Sequence, residues 1–200
     1  TAANGRIAVL GGDDLHPYRI EAVDVKQEGT VTFASEQAKV TVPRVIADHN
    51  EWLKDRKLAS VEPIEFKSAD GTPIHGFLVK PVDYVAGKRY PTILRIHGGP
   101  VYQFSHEFME DWQVFAANGY AVVAANPRGS SGRGFEFANA IYADWGNKDT
   151  ADVLAAVDHA VKLGVVDPER LGIGGHSYGG ILTDQVIARD DRFKAAVSSA

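Results

Sequence analysis

Ser177 stands in the run Gly174-Gly175-His176-Ser177-Tyr178-Gly179-Gly180, which contains G-x-S-x-G from Gly175 to Gly179. The residues before it, Arg170 to Gly174, read as a buried strand, and those after it, Ile181 to Ala188, read as a helix. A serine at the apex of a sharp strand-to-helix turn is held with its hydroxyl exposed, the arrangement of a nucleophile elbow. Small neighbours are needed for such a turn to close around a strained backbone. The amides at the start of the following helix point at the serine, where they can stabilise an oxyanion. The chemistry this permits is acyl transfer to serine. A plain Gly-rich strand-to-helix turn is the competing reading of the five residues alone.

Elements that could position this serine are legible on both sides of it. Residues 1–45 read as all-β: Arg6 to Leu10, a Gly11-Gly12-Asp13-Asp14 turn, Tyr18 to Val25, and Thr30 to Ala34. Residues 46–60, with Trp52, Leu53 and Leu58, read as a short helix or linker. From Val61 to residue 200 strands and helices alternate. Pro63 to Lys67 and Ile74 to Lys80 form a hairpin around Asp70-Gly71. Tyr90 to Ile96 and Tyr120 to Ala125 are apolar strands, with a helix between them over Glu107 to Asn118. A second helix spans Thr150 to Leu163, with Asp149 or Thr150 as cap, Val153, Val157 and Val161 on one face, and Gly164 as its stop. Phe193 to Ser198 forms a last strand. Continuous apolar strands separated by amphipathic helices imply a mostly parallel, doubly wound α/β sheet. Ligands bind beyond the carboxyl ends of such strands. Three segments fall there: His97-Gly98-Gly99-Pro100, Asn126 to Gly132, and the Ser177 elbow.

Composition narrows the classes. The 200 residues suffice for one large or two small domains, with a net charge of −5 and no cysteine. Disulfides and thiol chemistry are excluded. No basic excess points to nucleic acid, no long apolar run points to a membrane span, and no metal-ligand spacing or cofactor motif is present. No signal peptide is visible, and Thr1 in place of Met suggests a processed or excised product. Cytoplasmic and periplasmic or secreted locations are both allowed.

Four motifs together carry a family resemblance: His97-Gly98-Gly99-Pro100; Asn126-Pro127-Arg128-Gly129-Ser130 with Gly132 and Gly134; Trp145-Gly146 followed by Asp149 and Asp152; and Gly175-His176-Ser177-Tyr178-Gly179-Gly180. Over residues 60–200 the sequence resembles the α/β-hydrolase domain of the prolyl oligopeptidase family of serine peptidases, in its acylaminoacyl-peptidase and dipeptidyl-peptidase-like branches. The resemblance implies that residues 1–45 are the last strands of a β-propeller, residues 46–60 a linker, and residues 61–200 the N-terminal part of the hydrolase domain. It implies short peptides or acyl-peptides as substrates. Ser177 is the expected nucleophile and the Tyr178 amide an oxyanion donor, since the residue after the nucleophile supplies it in this fold. By resemblance the Gly99 amide is the second donor.

Other polar residues receive plainer readings. His97 shapes its loop, because the triad histidine of this fold follows the serine. His176 fills a pocket beneath the elbow. Arg128 orders a loop rather than meeting a substrate carboxylate. Asp149 and Asp152 serve a helix first turn, and His159 is solvated. Tyr102, Phe104, Phe108 and Trp112 are core or rim aromatics, and the loop after Pro100 could help line a substrate pocket.

The order Ser, Asp, His is not completed. The 23 residues after Ser177 contain Asp184, Asp190 and Asp191 but no histidine. The triad acid and base are therefore expected beyond residue 200, this stretch alone is expected to be inactive, and the strand Phe193 to Ser198 to leave an edge through which the chain self-associates. Three other readings stay open. A carboxylesterase on the same fold shares the elbow and oxyanion loop. A dinucleotide-binding domain is disfavoured because Gly172-x-Gly174-Gly175 lacks G-x-G-x-x-G spacing. A non-catalytic interaction domain is at odds with the retained serine.

Overall fold

A computed structural model describes residues 2–3, 5–26, 39–40 and 42–200. The chain divides into two compact units, Thr1–Arg56 with His106–Phe108, and Lys57–Ser105 with Met109–Ala200.

The first unit is an antiparallel sheet. Strands β1 (Ala2–Ala3), β2 (Arg6–Asp13), β3 (His16–Lys26) and β4 (Lys39–Val40) follow one another across it, and β5 (Arg44–Ala47) pairs with β3. The β2–β3 reversal falls at Asp14-Leu15, later than the glycines suggested. There the Asp13 carboxylate accepts the amides of Leu15 and His16 at 2.9 and 3.0 Å, the usual way a short acidic side chain closes a turn. The strand expected over Thr30 to Ala34 lies outside the described residues. The stretch read as a helix or linker instead holds the end of β5 and one 3₁₀ turn, Glu51–Leu53.

The second unit carries the α/β pattern. Its strands are β6 (Val61–Lys67), β7 (Pro73–Val79), β8 (Tyr90–Ile96), β9 (Ala121–Asn126), β10 (Val166–His176) and β11 (Phe193–Ser199), arranged β11-β10-β8-β9-β7-β6. The four strands β9, β8, β10 and β11 run parallel, while β6 and β7 form an antiparallel hairpin at the other edge. The hairpin turn is closed by Asp70, which accepts the Thr72 amide at 3.0 Å, and by Gly71 at φ +85°. All six residues of β9 are buried, as expected for a central strand covered on both faces.

Helices α1 (Glu110–Ala117), α2 (Phe135–Asn139), α3 (Lys148–Lys162) and α4 (Tyr178–Ile187) complete the unit. Alternation along the strands separates two cores. Leu78, Leu94, Ile96, Val123 and Ile173 pack with Val153, Ala156, Val157 and Ala160 of α3 and Leu182 and Val186 of α4. On the opposite face Phe77, Val79, Val122 and Ala124 pack with Trp112 and Ala116 of α1. The α3 residues recur at the i, i+3, i+4, i+7 spacing of a helix stripe. Gly164 at φ +79° ends that helix, returning its amide to the Val161 carbonyl. Buried Gln113 of α1 is matched in both directions by the Ala59 main chain, at 2.8 and 3.2 Å, so its burial leaves no polar group without a partner.

Several details differ from the sequence reading, among them the start of α4 at Tyr178 rather than Ile181. Helix α1 begins at Glu110, not Glu107; α2 was not foreseen; and β10 starts at Val166, four residues early. The N-cap of α3 is Asn147, and neither Asp149 nor Thr150 occupies the cap position. Among the described residues no helix is long and apolar enough to cross a membrane.

Candidate active site

Ser177 sits between the carboxyl end of β10 and the start of α4 with φ +59° and ψ −126°. A non-glycine residue in that region of backbone space costs on the order of 1–3 kcal/mol and persists only where its surroundings hold it. They do so here. The Ser177 amide donates to the Ser199 carbonyl at 2.9 Å, and its own carbonyl accepts the amides of Gly180 and Ile181 at 2.8 and 3.1 Å. Helix α4 is pressed onto the sheet through glycines: a methyl group on Gly179 would stand 2.4 Å from the Ile96 carbonyl oxygen. That close approach aims the first turn of α4 at the ends of β8 and β10. Ser177 is exposed, while Tyr178 is buried.

The loop after β8 lies against the elbow. A methyl group on Gly98 would stand 3.5 Å from Ser177 Cβ and 3.4 Å from the His176 carbonyl oxygen. Gly99 follows at φ +123°, before a cis bond to Pro100, so the Gly99 position is open only to a residue without a side chain. The serine, the HGGP loop and the first turn of α4 therefore meet at one end of the parallel strands. Tyr178, as the first residue of α4, has no helical carbonyl a turn before it to pair with its amide.

His97 is buried at the root of this loop. Its Nδ1 lies 2.7 Å from the Gly98 carbonyl and its Nε2 2.9 Å from Ser130 Oγ. Burial lowers its pKa, against the opposing bond to the Gly98 carbonyl, so the ring is neutral and Nδ1–H is the donor to Gly98. Ser130 Oγ donates to the Pro127 carbonyl at 2.6 Å. The ring edges of Tyr102 and Phe104 close over His97, at 5.9 and 5.2 Å between centroids. His97 thus shapes the loop, with no contact that would make it a base for Ser177.

Arg128 likewise orders its surroundings. Its guanidinium donates through Nε and Nη2 to the two oxygens of Asp152 at 2.9 and 2.7 Å, and the Arg128 amide adds a third bond to the same carboxylate at 2.8 Å. Nη1 reaches Asp70 of the β6–β7 turn, and Nη2 reaches Ser68 Oγ and the Lys148 carbonyl. The bond to Asp152, opposed by burial and reinforced by Asp70, raises the Arg128 pKa further. Bonds from Thr72, then Arg128, hold the Asp70 carboxyl well below the usual carboxylate range.

Three readings from sequence are corrected. Asp149 and Asp152 do lie at the start of α3, but neither is its N-cap, and both are fully buried. Asp152 pairs with Arg128. Asp149 accepts the Tyr178 hydroxyl at 2.6 Å, the Gly146 amide at 2.8 Å and the Thr150 amide at 3.0 Å. No local signal separates these carboxylates from ordinary capping residues, because their partners lie 24 and 29 positions away in sequence. His176 does not fill a pocket beneath the elbow. It is exposed, with Nδ1 3.2 Å from Ser199 Oγ. His159 is half-buried and stacked on Phe66 at 5.6 Å rather than solvated. Phe104 and Trp112 belong to the core, whereas Tyr102 is 49% exposed beside the HGGP loop. Ser130, the partner of His97, was not singled out as a site residue. Among the described residues no group of three or more acidic or histidine side chains could hold a metal ion.

A six-stranded mixed sheet covered on both faces, with a serine elbow after its fifth strand and a glycine loop against it, is an α/β-hydrolase. Comparison with known proteins agrees. The prolyl oligopeptidase family model matches residues 106–200, and the acetyl xylan esterase (AXE1) model matches residues 16–144. The chain is 43% identical over 151 residues to the uncharacterized peptidase YuxL of Bacillus subtilis, covering 75% of this chain and 23% of that protein. It is 35% identical to dipeptidyl-peptidase 5 of Schizosaccharomyces pombe, over 71% of this chain and 21% of that one. Among solved structures, an acylaminoacyl peptidase in complex with Z-Gly-Gly-Phe-chloromethyl ketone superposes with a TM-score of 0.83 at 29% identity, over 98% of this chain and 29% of that one. The acylaminoacyl peptidase of Pyrococcus horikoshii gives 0.81 at 29% identity, over 98% and 30%. The chain belongs to the prolyl oligopeptidase family. It spans less than a third of the length of each of these four proteins.

Proposed function

We propose that the protein is a serine peptidase that hydrolyses short peptides or acyl-peptides through an acyl-enzyme on Ser177. The observation that carries this reading is the strained, exposed Ser177 at the end of β10, with Gly98 in van der Waals reach of its Cβ. Ser177 Oγ attacks the scissile carbonyl carbon and its proton passes to a histidine base. The carbonyl oxygen becomes an oxyanion, held by the amides of Tyr178 and Gly99. Collapse breaks the C–N bond, the base gives its proton to the leaving amine, and water then cleaves the ester. The base and the acid that orients it belong to the polypeptide beyond residue 200. Residues 1–45 are read as closing strands of a propeller, an assignment supported by superpositions that cover 98% of the chain.

The test is labelling of the full-length protein with a fluorophosphonate probe, followed by turnover of a peptide arylamide. Modification at Ser177 with arylamide hydrolysis supports the proposal; an intact, folded protein that neither labels nor turns over overturns it. A second reading, a carboxylesterase, is favoured by the acetyl xylan esterase match over residues 16–144. That match ends before Ser177, whereas the prolyl oligopeptidase family match, residues 106–200, spans the elbow. Hydrolysis of small esters without arylamide cleavage would decide for the esterase.

A further inference from the structure

We propose that Asp149 is a positioning residue for the oxyanion site, acting through the hydroxyl of Tyr178; the proposal rests on the hydrolase reading of Ser177. Tyr178 has two parts with separate tasks. Its main-chain amide opens α4 beside the nucleophile. Its side chain runs into the core, where the ring meets Trp145 edge-on at 5.1 Å and the hydroxyl ends on Asp149 Oδ2 at 2.6 Å.

The acceptor is itself fixed. Asp149 is fully buried in the first turn of α3, and its oxygens also take the amides of Gly146 and Thr150. Thr150 Oγ1 returns a bond to the Gly146 carbonyl at 2.9 Å, and Arg189 of the segment after α4 donates to the same carbonyl. No cation touches Asp149 among the described residues; three neutral donors meet its oxygens at the N-terminal end of α3. Burial, and then the Asp149 bond, raise the Tyr178 pKa, so the hydroxyl stays a donor throughout the working pH range.

The geometry gives this bond leverage on the chemistry. Helix α4 approaches the sheet through glycines, and Tyr178 is the buried bulky side chain of its first turn, Ile181 being 44% exposed. The Tyr178 side chain is therefore the anchor that sets how that turn lies against the sheet, and the amide moves with it. An oxyanion donor acts only if it stands at hydrogen-bond distance from where the charge develops, and a displacement of about 1 Å can cost roughly 100-fold in rate. A donor used only in the transition state changes kcat and leaves ground-state binding unaffected.

The experiment compares the full-length protein with Tyr178→Phe, Asp149→Ala and the double variant, well below each melting temperature. Tyr178→Phe keeps the ring and its packing. It is expected to lower kcat about tenfold or more with KM within about twofold, and to weaken a peptidyl trifluoromethyl ketone by the same factor as kcat/KM. The double variant is expected to be no slower than Asp149→Ala, since the two groups form one device. A Tyr178→Phe protein with a lowered melting temperature but undiminished kcat, or with a raised KM alone, overturns the proposal whether or not Asp149→Ala folds. A wild-type protein that does not label at Ser177 overturns the hydrolase reading and this proposal with it; one that labels and turns over while Tyr178→Phe matches it overturns this proposal alone.

Discussion

Arg128 and Asp152 meet fork to fork in the interior of the second unit, with side-chain exposures of 8% and 0%. Paired, the two charges fasten the loop after β9 to α3. Without Arg128, Asp152 would be a buried charge with no counterion, which costs about 3–5 kcal/mol; without Asp152, Arg128 keeps only Asp70 of the β6–β7 turn. Arg128→Ala is expected to lose stability in that range and Asp152→Ala somewhat less, read from urea denaturation midpoints. Arg128→Lys should recover only part of it, because an ammonium cannot reproduce the bidentate geometry. A loss below about 1 kcal/mol for both alanine variants would show that the pair is not what holds the loop.

Ser177→Gly is expected to abolish probe labelling and yet to stabilise the fold by about 1 kcal/mol. The strain at φ +59° vanishes in a residue that occupies that region freely. Thermal denaturation of the variant beside wild type checks it; a lower melting temperature would mean that the Ser177 conformation carries little strain.

Two glycines should respond very differently to alanine. At Gly71, φ +85°, the added methyl meets nothing within 4 Å, and the cost is the left-handed backbone alone, about 1 kcal/mol. At Gly179 the methyl would meet the Ile96 and His97 carbonyl oxygens at 2.4 and 2.9 Å. Helix α4 must then lift from the sheet, and both labelling and stability should fall. Equal stability of the two variants would contradict the close approach.

The neutral, buried His97 predicts a pH dependence of stability. Its folded pKa lies below its unfolded value of about 6.5. Between those two values the unfolded chain holds a proton that the native protein does not. The His97 contribution is complete above about pH 6.5 and is lost as pH falls through that window toward the folded value. His97→Gln should flatten the fall in stability between pH 7.5 and 5.5; an unchanged slope would place the dependence elsewhere.

Strand β11 forms an edge of the described sheet, and Val197 on it is 68% exposed. Expressed as these 200 residues, the chain is expected to self-associate through that edge. Light scattering that reports a monomer at high concentration would count against it.

The elements were legible in the sequence wherever burial imposes a period. The apolar run Ala121 to Ala125 and the stripe on α3 were read correctly because a covered strand and a one-sided helix leave unlike patterns. The elbow was legible because its glycines are required locally. The polar interior was not. Asp149 and Asp152 resemble cap residues until Tyr178 and Arg128 are brought to them by the packing of α3 against the sheet, and His176 gives no local sign of its exposure. The β2–β3 turn was misplaced because Gly11 and Gly12 suggest a reversal, whereas the Asp13 carboxylate makes it two residues later.

The contacts at Gly179 and Gly180 are with main-chain atoms of β8 and β11, not with side chains. A crowded side chain can be trimmed by a second substitution elsewhere, but a carbonyl cannot. Trimming another side chain therefore cannot make room at these positions, and both glycines are required together. In a saturation library selected for folding, Gly179 and Gly180 should return unchanged while the exposed positions of α1 and α3 drift freely.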